Sequence, residues 1–394
     1  MSINSFQLWN RSFGWGVFTI ALLTFGLTVE PTASFWDAGE YIATAAKLQV
    51  GHPPGAPLFQ MMGAFFALFS SSPENIALVV NYMSVFSSAF SVLFLFWTLT
   101  LLMKKLPIFQ SLDNIYERLT FFGSAAVGAF AFCFSDSFWF NAVEAEVYAM
   151  ATFILSLLFW LGLRWEQDMN TPRGDRWLLL ISFIIGLSFG VHFMGLLTIP
   201  AIGMIYYFRN NPKVTVKSFL LANLISVAIL LFIFKLLLPT TLAFFGNSEV
   251  FFVNKMGLPF NSGTIIAGLC FILFFYYSLR YTQRQNWVNI NTSILCILFV
   301  LVGFSSWLMI PIRANANTVI NENSPADARS LLAYYNLEQY PETHLFYGPL
   351  FSDIYAGQDE TEPYIDDKPK YERDYKTGKY IIVNHPERAK INSN

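Results

Sequence analysis

The sequence predicts an all-α polytopic membrane protein, and three observations carry that prediction. Hydrophobic residues make up 55% of the 394 positions and charged residues only 13%, against about 25% charged in an average soluble domain. Several stretches approach the ~20 apolar residues that cross a ~30 Å hydrocarbon core. Basic residues crowd into alternate connections, as in a chain with a fixed membrane orientation. There is no basic patch to suggest nucleic acid, and a net charge of −2 points to no partner.

Nine membrane segments are expected, near residues 14–30, 76–103, 119–135, 146–163, 177–192, 194–208, 218–238, 262–280 and 291–311. The first lacks the short apolar core and small-residue cleavage site of a secretory signal, so it reads as a retained anchor. With these spans, Arg11, Lys104, Lys105, Arg118, Arg164, Arg173, Arg176, Arg209, Lys213, Lys217, Arg280 and Arg284 share one side. Only Lys47 and Lys255 fall on the other before the last helix. Positive charge marks the cytoplasmic side, so the N-terminus is placed there and everything after residue 312 outside. Residues 58–70 are apolar too, but a full span there would put Lys104 and Lys105 outside; they read as an interfacial helix. Cys133, Cys270 and Cys296 lie in apolar segments and read as packing residues.

The outer connections are the long ones, at about 31–75, 136–145 and 239–261, followed by a tail from 313 to 394. Loops on a rigid scaffold are where chemistry collects. In the first, a helix over 37–49 places Asp37, Glu40, Tyr41, Thr44 and Lys47 on one polar face, at i, i+3, i+4, i+7 and i+10. "GHPPGAP" then ends the helix, Gly51 as cap and the prolines as breakers. It holds His52 in a rigid turn facing the same water-filled site. The same residues also fit an N-cap Asp37 with Glu40 completing a capping box, and a snorkelling Lys47.

The second outer loop, "FSDSFWFNAVEAEVYAM", brings Asp136, Glu144 and Glu146 to the membrane boundary. Ionisable residues there usually face a cavity. On a continuous helix Glu144 and Glu146 point about 200° apart, so one faces the site; Asn141, Glu144 and Tyr148 share a face, which favours Glu144. An aromatic belt (Phe138, Trp139, Phe140) with incidental charges fits equally. Oxygen ligands suit magnesium, so a divalent metal between Asp37 and Glu144 is compatible with the spacing but not required by it, and no cofactor is called for. Further along, His192 sits among small and apolar residues, as a site residue or a hydrogen-bonded core histidine. Arg313 and Lys235 are cations at the outer end, suited to a lipid-linked phosphate or to headgroup anchoring. The tail opens with an Asn-rich turn and a short amphipathic helix. Its mixed-charge continuation reads as the start of a soluble segment cut short.

Four stretches, "FWDAGEYIATAAKLQVGHPPGAPLF", "FNAVEAEVYA", "GLSFGVHFMGLL" and "IPIRANANTVINENSPADARSLLAYYNLEQY", together resemble the bacterial relatives of transmembrane protein 260, a group placed with the GT-C glycosyltransferases. The resemblance implies a GT-C-like bundle of about nine transmembrane helices, with interfacial helices in a long first outer loop. It also implies protein O-mannosyltransferase activity in a bacterial inner membrane, with a polyprenyl-phosphate sugar as donor and exported proteins as acceptors. By matching position it makes Asp37 the base, with Glu40 beside it; His52, Glu144, His192 and Arg313 follow from motif position, and Asn141 and Tyr148 stand with Glu144 on the donor side. Members of the group extend beyond residue 394, which bears on acceptor recognition. The rival readings are a multi-pass transporter, which favours repeated halves and ionisable residues at the midplane, and a non-catalytic membrane scaffold.

Overall fold

A computed structural model describes residues 3–109, 111–340, 352, 361, 364–366, 368–384 and 387–389. Among the described residues fifteen α-helices follow in order: α1 (Ile3–Leu27), α2 (Ala38–Ala46), α3 (Pro57–Ala67), α4 (Ile76–Met103), α5 (Ile115–Cys133), α6 (Asp136–Ala142), α7 (Val147–Asp168), α8 (Asp175–Ser188), α9 (Thr198–Asn210), α10 (Val216–Leu231), α11 (Leu238–Asn254), α12 (Ser262–Arg284), α13 (Val288–Phe304), α14 (Met309–Ala314) and α15 (Ala328–Tyr335). Two antiparallel strand pairs lie in the tail, β1 (Tyr364–Asp366) with β4 (Glu387–Ala389), and β2 (Lys370–Asp374) with β3 (Lys379–Asn384). The fold is all-α and polytopic.

Among the described residues five helical stretches are long and apolar enough to cross a membrane: Pro73–Met103, Val147–Asp168, Val216–Asn254, Ser262–Arg284 and Val288–Ala314. The pair α5–α6, bent by 71°, makes a sixth if it is one broken span. Each expected segment coincides with a helix, but not each helix passes as a span. α8 and α9, with 14 and 13 residues, reach only about 20 Å at ~1.5 Å per residue. α1 is long enough, but Gln7, Asn10, Arg11 and Ser12 make its first half polar. The expected outer loop at 239–261 is largely helical: α10 runs through a π-turn, Phe232–Leu237, into α11. Pro239 has no N–H for the carbonyl four residues back, and a local π-turn absorbs that loss.

The chain divides into two compact units. The first holds residues 1–51, 55–236 and 275–321. Its core between α1, α4 and α5 combines large rings with small residues, among them Phe25, Phe96, Phe121 and Phe122 beside Ala21, Ala89, Ala125 and Ala129. Small side chains let helices approach where no solvent drives them together. α8 and α13 approach closest at a glycine pair: a Cβ on Gly186 would stand 2.0 Å from the Val300 carbonyl oxygen, and one on Gly303 2.2 Å from that of Phe183.

The second unit holds residues 52–54, 237–274 and 322–394. α11 packs against α15 and β3. At its centre Glu249, fully buried, accepts the backbone N–H of Asn261 (2.6 Å), the N–H and hydroxyl of Thr264 (2.8 and 2.9 Å) and the Tyr380 hydroxyl (3.2 Å). Arg373 donates to the Tyr380 hydroxyl and the Asn261 side chain and pairs with Asp327 at 3.1 Å.

Candidate functional site

The loop between α1 and α4 is anchored from both ends. Asn81 of α4 donates its side-chain amide to the carbonyls of Glu30 (2.6 Å) and Thr32 (2.9 Å), and the Glu30 N–H reaches the Val143 carbonyl at 3.0 Å. α2 then starts at Asp37, whose carbonyl takes the first helical bond from Tyr41 (2.9 Å). The Asp37 side chain forms no cap bond, so the carboxylate is not engaged in starting the helix, and it is exposed.

α2 ends at Ala46, not at residue 49, and the terminator is not Gly51. Lys47 is the C-cap and Leu48 takes a left-handed φ of 47°. Arg313 donates to the Leu48 carbonyl at 2.5 Å and to that of Lys47 at 3.1 Å, a cation on the exposed carbonyls at a helix C-terminus. Beyond it Val50 forms a parallel bridge with Asn321, and the Gln49 side chain accepts the Ile320 N–H. Gly51 instead makes room for a carboxylate, since a Cβ there would stand 2.6 Å from a Glu40 side-chain oxygen. The expected single wet face is divided. Asp37 and Lys47 are exposed and Glu40 half-buried. Thr44 and Tyr41 are buried, with the Thr44 hydroxyl accepting the Gln60 amide of α3 at 2.6 Å.

The loop between α5 and α7 departs from the helical spacing, and the departure brings two acids to the candidate site. α6 stops at Ala142, and residues 143–146 form a turn in which the Glu146 N–H bonds the Glu144 carbonyl. Glu144 and Glu146 therefore do not share a continuous helix that would turn one of them away, and both carboxylates, each nearly fully buried, meet the first loop. Glu144 accepts the Ser34 hydroxyl at 2.6 Å, and Glu146 accepts the Asp37 backbone N–H at 3.0 Å. Asn141 is caught on its own helix, donating to the Ser137 carbonyl.

Tyr148, in the first turn of α7, is exposed, with its ring centroid 5.5 Å from that of His192. His192 caps a short 3₁₀ turn, its Nδ1 accepting the Met194 N–H at 3.2 Å. His52 is half-buried and falls, with Pro53 and Pro54, in the second compact unit. Among the described residues no group of three or more His, Cys, Asp or Glu could hold a metal ion.

Burial, with the Asp37 charge second, raises the Glu146 carboxyl to about 7, against the stabilising Asp37 N–H. Burial raises Glu144 as well, and the Ser34 hydroxyl opposes it. The Tyr41 phenol is pushed well up, first by burial and then by Glu146, Asp37, Glu40 and Tyr148 around it. Four carboxylates (Asp37, Glu40, Glu144 and Glu146) and two phenols (Tyr41 and Tyr148) thus share one electrostatic neighbourhood. The residue that sequence reasoning passed over is Glu146; the signal for it was a Glu-Ala-Glu run just before a new helix, where a turn puts both acids on one side.

Residues 37–215 match the family model described as protein O-mannosyl-transferase TMEM260 N-terminal domain, and residues 341–394 match one described as a family of unknown function (DUF8416). The chain is similar to protein O-mannosyl-transferase tmem260 of Dictyostelium discoideum, with 26% identity over 196 residues, covering 47% of this chain and 22% of that protein. It is also similar to protein O-mannosyl-transferase TMEM260 of Mus musculus, with 29% identity over 176 residues, covering 44% of this chain and 22% of that one. The matched stretch thus spans about a fifth of each curated relative's length. These matches bear out the resemblance to the transmembrane protein 260 group. No solved structure matches the chain.

Proposed function

We propose that this chain is the membrane module of a glycosyltransferase that moves a sugar, mannose by its resemblance, from a polyprenyl phosphate to Ser or Thr hydroxyls of exported proteins, on the non-cytoplasmic face of a bacterial inner membrane. The observation that carries the reading is Asp37: an exposed carboxylate that does not cap its helix, mounted where the two acidic outer loops meet, and the first residue of the stretch that matches the O-mannosyl-transferase domain.

In the reaction, Asp37 accepts the proton of the acceptor hydroxyl as its oxygen bonds to the anomeric carbon. The bond from that carbon to the phosphate oxygen breaks, and polyprenyl phosphate leaves with the electron pair. One displacement inverts the sugar carbon. The leaving phosphate is a stable anion and needs no strong acid, and no step calls for a cofactor. A neutral imidazole whose Nδ1 accepts an N–H carries its proton on Nε2, so His192 offers one donor to a phosphate oxygen, beside the Tyr148 hydroxyl. Arg313 keeps α2 at its angle through the Lys47 and Leu48 carbonyls.

General-base catalysis of this kind contributes ~10²–10⁴-fold, so Asp37→Asn is expected to lose transfer by that factor while staying folded. The test incubates purified protein with labelled polyprenyl-phosphate mannose and a Ser/Thr acceptor. Turnover of Asp37→Asn near the wild-type rate would exclude Asp37 as the base.

A further inference from the structure

We infer that Glu146 is the positioning residue for Asp37: its buried carboxylate holds the peptide N–H on which that side chain is mounted and brings a second negative charge beside it. The inference rests on the reading of Asp37 as the base. Three observations support it.

First, the peptide in question is strained. Trp36, which precedes Asp37, has φ 61°, a left-handed conformation that costs a bulky residue energy and persists only where its surroundings impose it. The Trp36 side chain is 85% exposed, so packing of the indole does not impose it. The peptide that follows Trp36 is held by the 3.0 Å bond from the Asp37 N–H to Glu146. Second, the clamp is itself held. The turn carrying Glu146 is closed by its own N–H on the Glu144 carbonyl, and the Glu30 N–H ties Val143 to the first loop. Third, Glu146 is 4% exposed and, among the described residues, forms no ion pair. A buried carboxylate without a cation is a poor stabiliser, which fits a residue kept for the geometry and charge it confers.

The charge has a consequence for donor binding. The groups facing Glu146 are Asp37 and Tyr41 from α2 and Glu144 from its own turn, with Glu40 and Tyr148 around Tyr41. All are acidic. An anionic lipid phosphate entering this site meets one negative charge fewer when Glu146 carries a proton, and Glu146 changes state at about 7. The donor KM is therefore expected to rise with pH, by up to about tenfold between pH 6 and 8 for one proton taken up with the donor.

Three variants separate clamp from charge. Glu146→Gln keeps an acceptor for the N–H and loses the charge; Glu146→Asp keeps the charge on an arm too short to reach; Glu146→Ala loses both. Glu146→Asp and Glu146→Ala are expected to lower kcat by roughly 10–100-fold, the scale of an ångström's misplacement of a reacting group. Glu146→Gln is expected to recover most of that kcat and to flatten the donor-KM profile from pH 6 to 8. Hydrogen exchange at the Asp37 amide reads the clamp without any turnover: faster in Glu146→Asp and Glu146→Ala, protected in Glu146→Gln. Wild-type exchange in Glu146→Ala, or a Glu146→Gln KM profile parallel to wild type, would overturn the inference. If Glu146→Ala does not fold, the Asp and Gln variants decide alone. An inactive Asp37→Asn beside a parallel Glu146→Gln profile sinks the role of Glu146 only; an active Asp37→Asn removes the base reading while the exchange result still stands or falls by itself.

Discussion

Two buried glutamates, Glu249 and Glu146, put opposite arrangements side by side. Glu249 in α11 is saturated: two backbone N–H groups, a threonine hydroxyl and a tyrosine hydroxyl all point at its carboxylate, and Arg373 bonds the same tyrosine. Glu146 accepts the N–H groups of Asp37 and Val147 and has Asp37 and Glu144, both acids, as its charged neighbours. A carboxylate of the first kind organises structure, because it ties the chain at Asn261 and Thr264 and the buried Tyr380 hydroxyl to one point on α11. One of the second kind is held against its electrostatic preference, and that pattern marks functional sites more often than structural ones. Burial alone does not separate the two roles; the sign of the surroundings does.

The largest expected effect tests the structural side. Glu249→Ala leaves the Asn261 and Thr264 N–H groups and the buried Tyr380 hydroxyl without their acceptor, at about 1–3 kcal/mol for a group kept from water and less for one that water can reach. The second unit should loosen, read as a lower melting temperature in detergent and faster proteolysis of the β2–β3 hairpin. Unchanged stability would break the comparison.

A glutamine at each position sharpens it further. Gln cannot accept from four donors as a carboxylate does, so Glu249→Gln is expected to destabilise the second unit. Glu146→Gln is expected to behave otherwise. Its carboxyl is raised in the fold from 4.5 to about 7, so its favourable contribution is full below about pH 4.5 and is lost as pH rises through 7. Wild type should therefore lose melting temperature between pH 5 and 8 by a few degrees that Glu146→Gln retains. A Glu146→Gln curve parallel to wild type would mean that this carboxylate does not titrate in the window.

The smallest effect concerns Tyr380→Phe, which removes the hydroxyl between Glu249 and Arg373. A loss of about 1 kcal/mol is expected from urea unfolding, since Glu249 keeps three other donors. A loss as large as that of Glu249→Ala would shift the weight of the network from the glutamate to the tyrosine.

Apolar length and the uneven placement of Lys and Arg were enough to read the helices, because a bilayer leaves few alternatives to a helix for an apolar run. The segment expected at 76–103 coincides with α4, Ile76–Met103. Where length fell short, as in α8 and α9, hydropathy marked a helix without marking a crossing. Asp37 stood out as the acid that opens the expected polar face in the loop after an apolar helix. Its partner did not, since periodicity assumes that a helix continues, and the Glu-Ala-Glu run marks both acids only once α6 is known to end at Ala142.

By itself, then, the sequence determined what short-range and solvent-driven physics can determine: an apolar helical chain, the acids clustered in the two connections that carry Asp37 and Glu146, and the proline that opens α3. Tertiary structure alone decided which acid meets which backbone amide, that Arg313 closes α2 across 265 positions of chain, and that Glu40 lies against Gly51. These are contacts between segments that the helices fold together. Their directions follow from how helices pack, and no spacing within either segment encodes them.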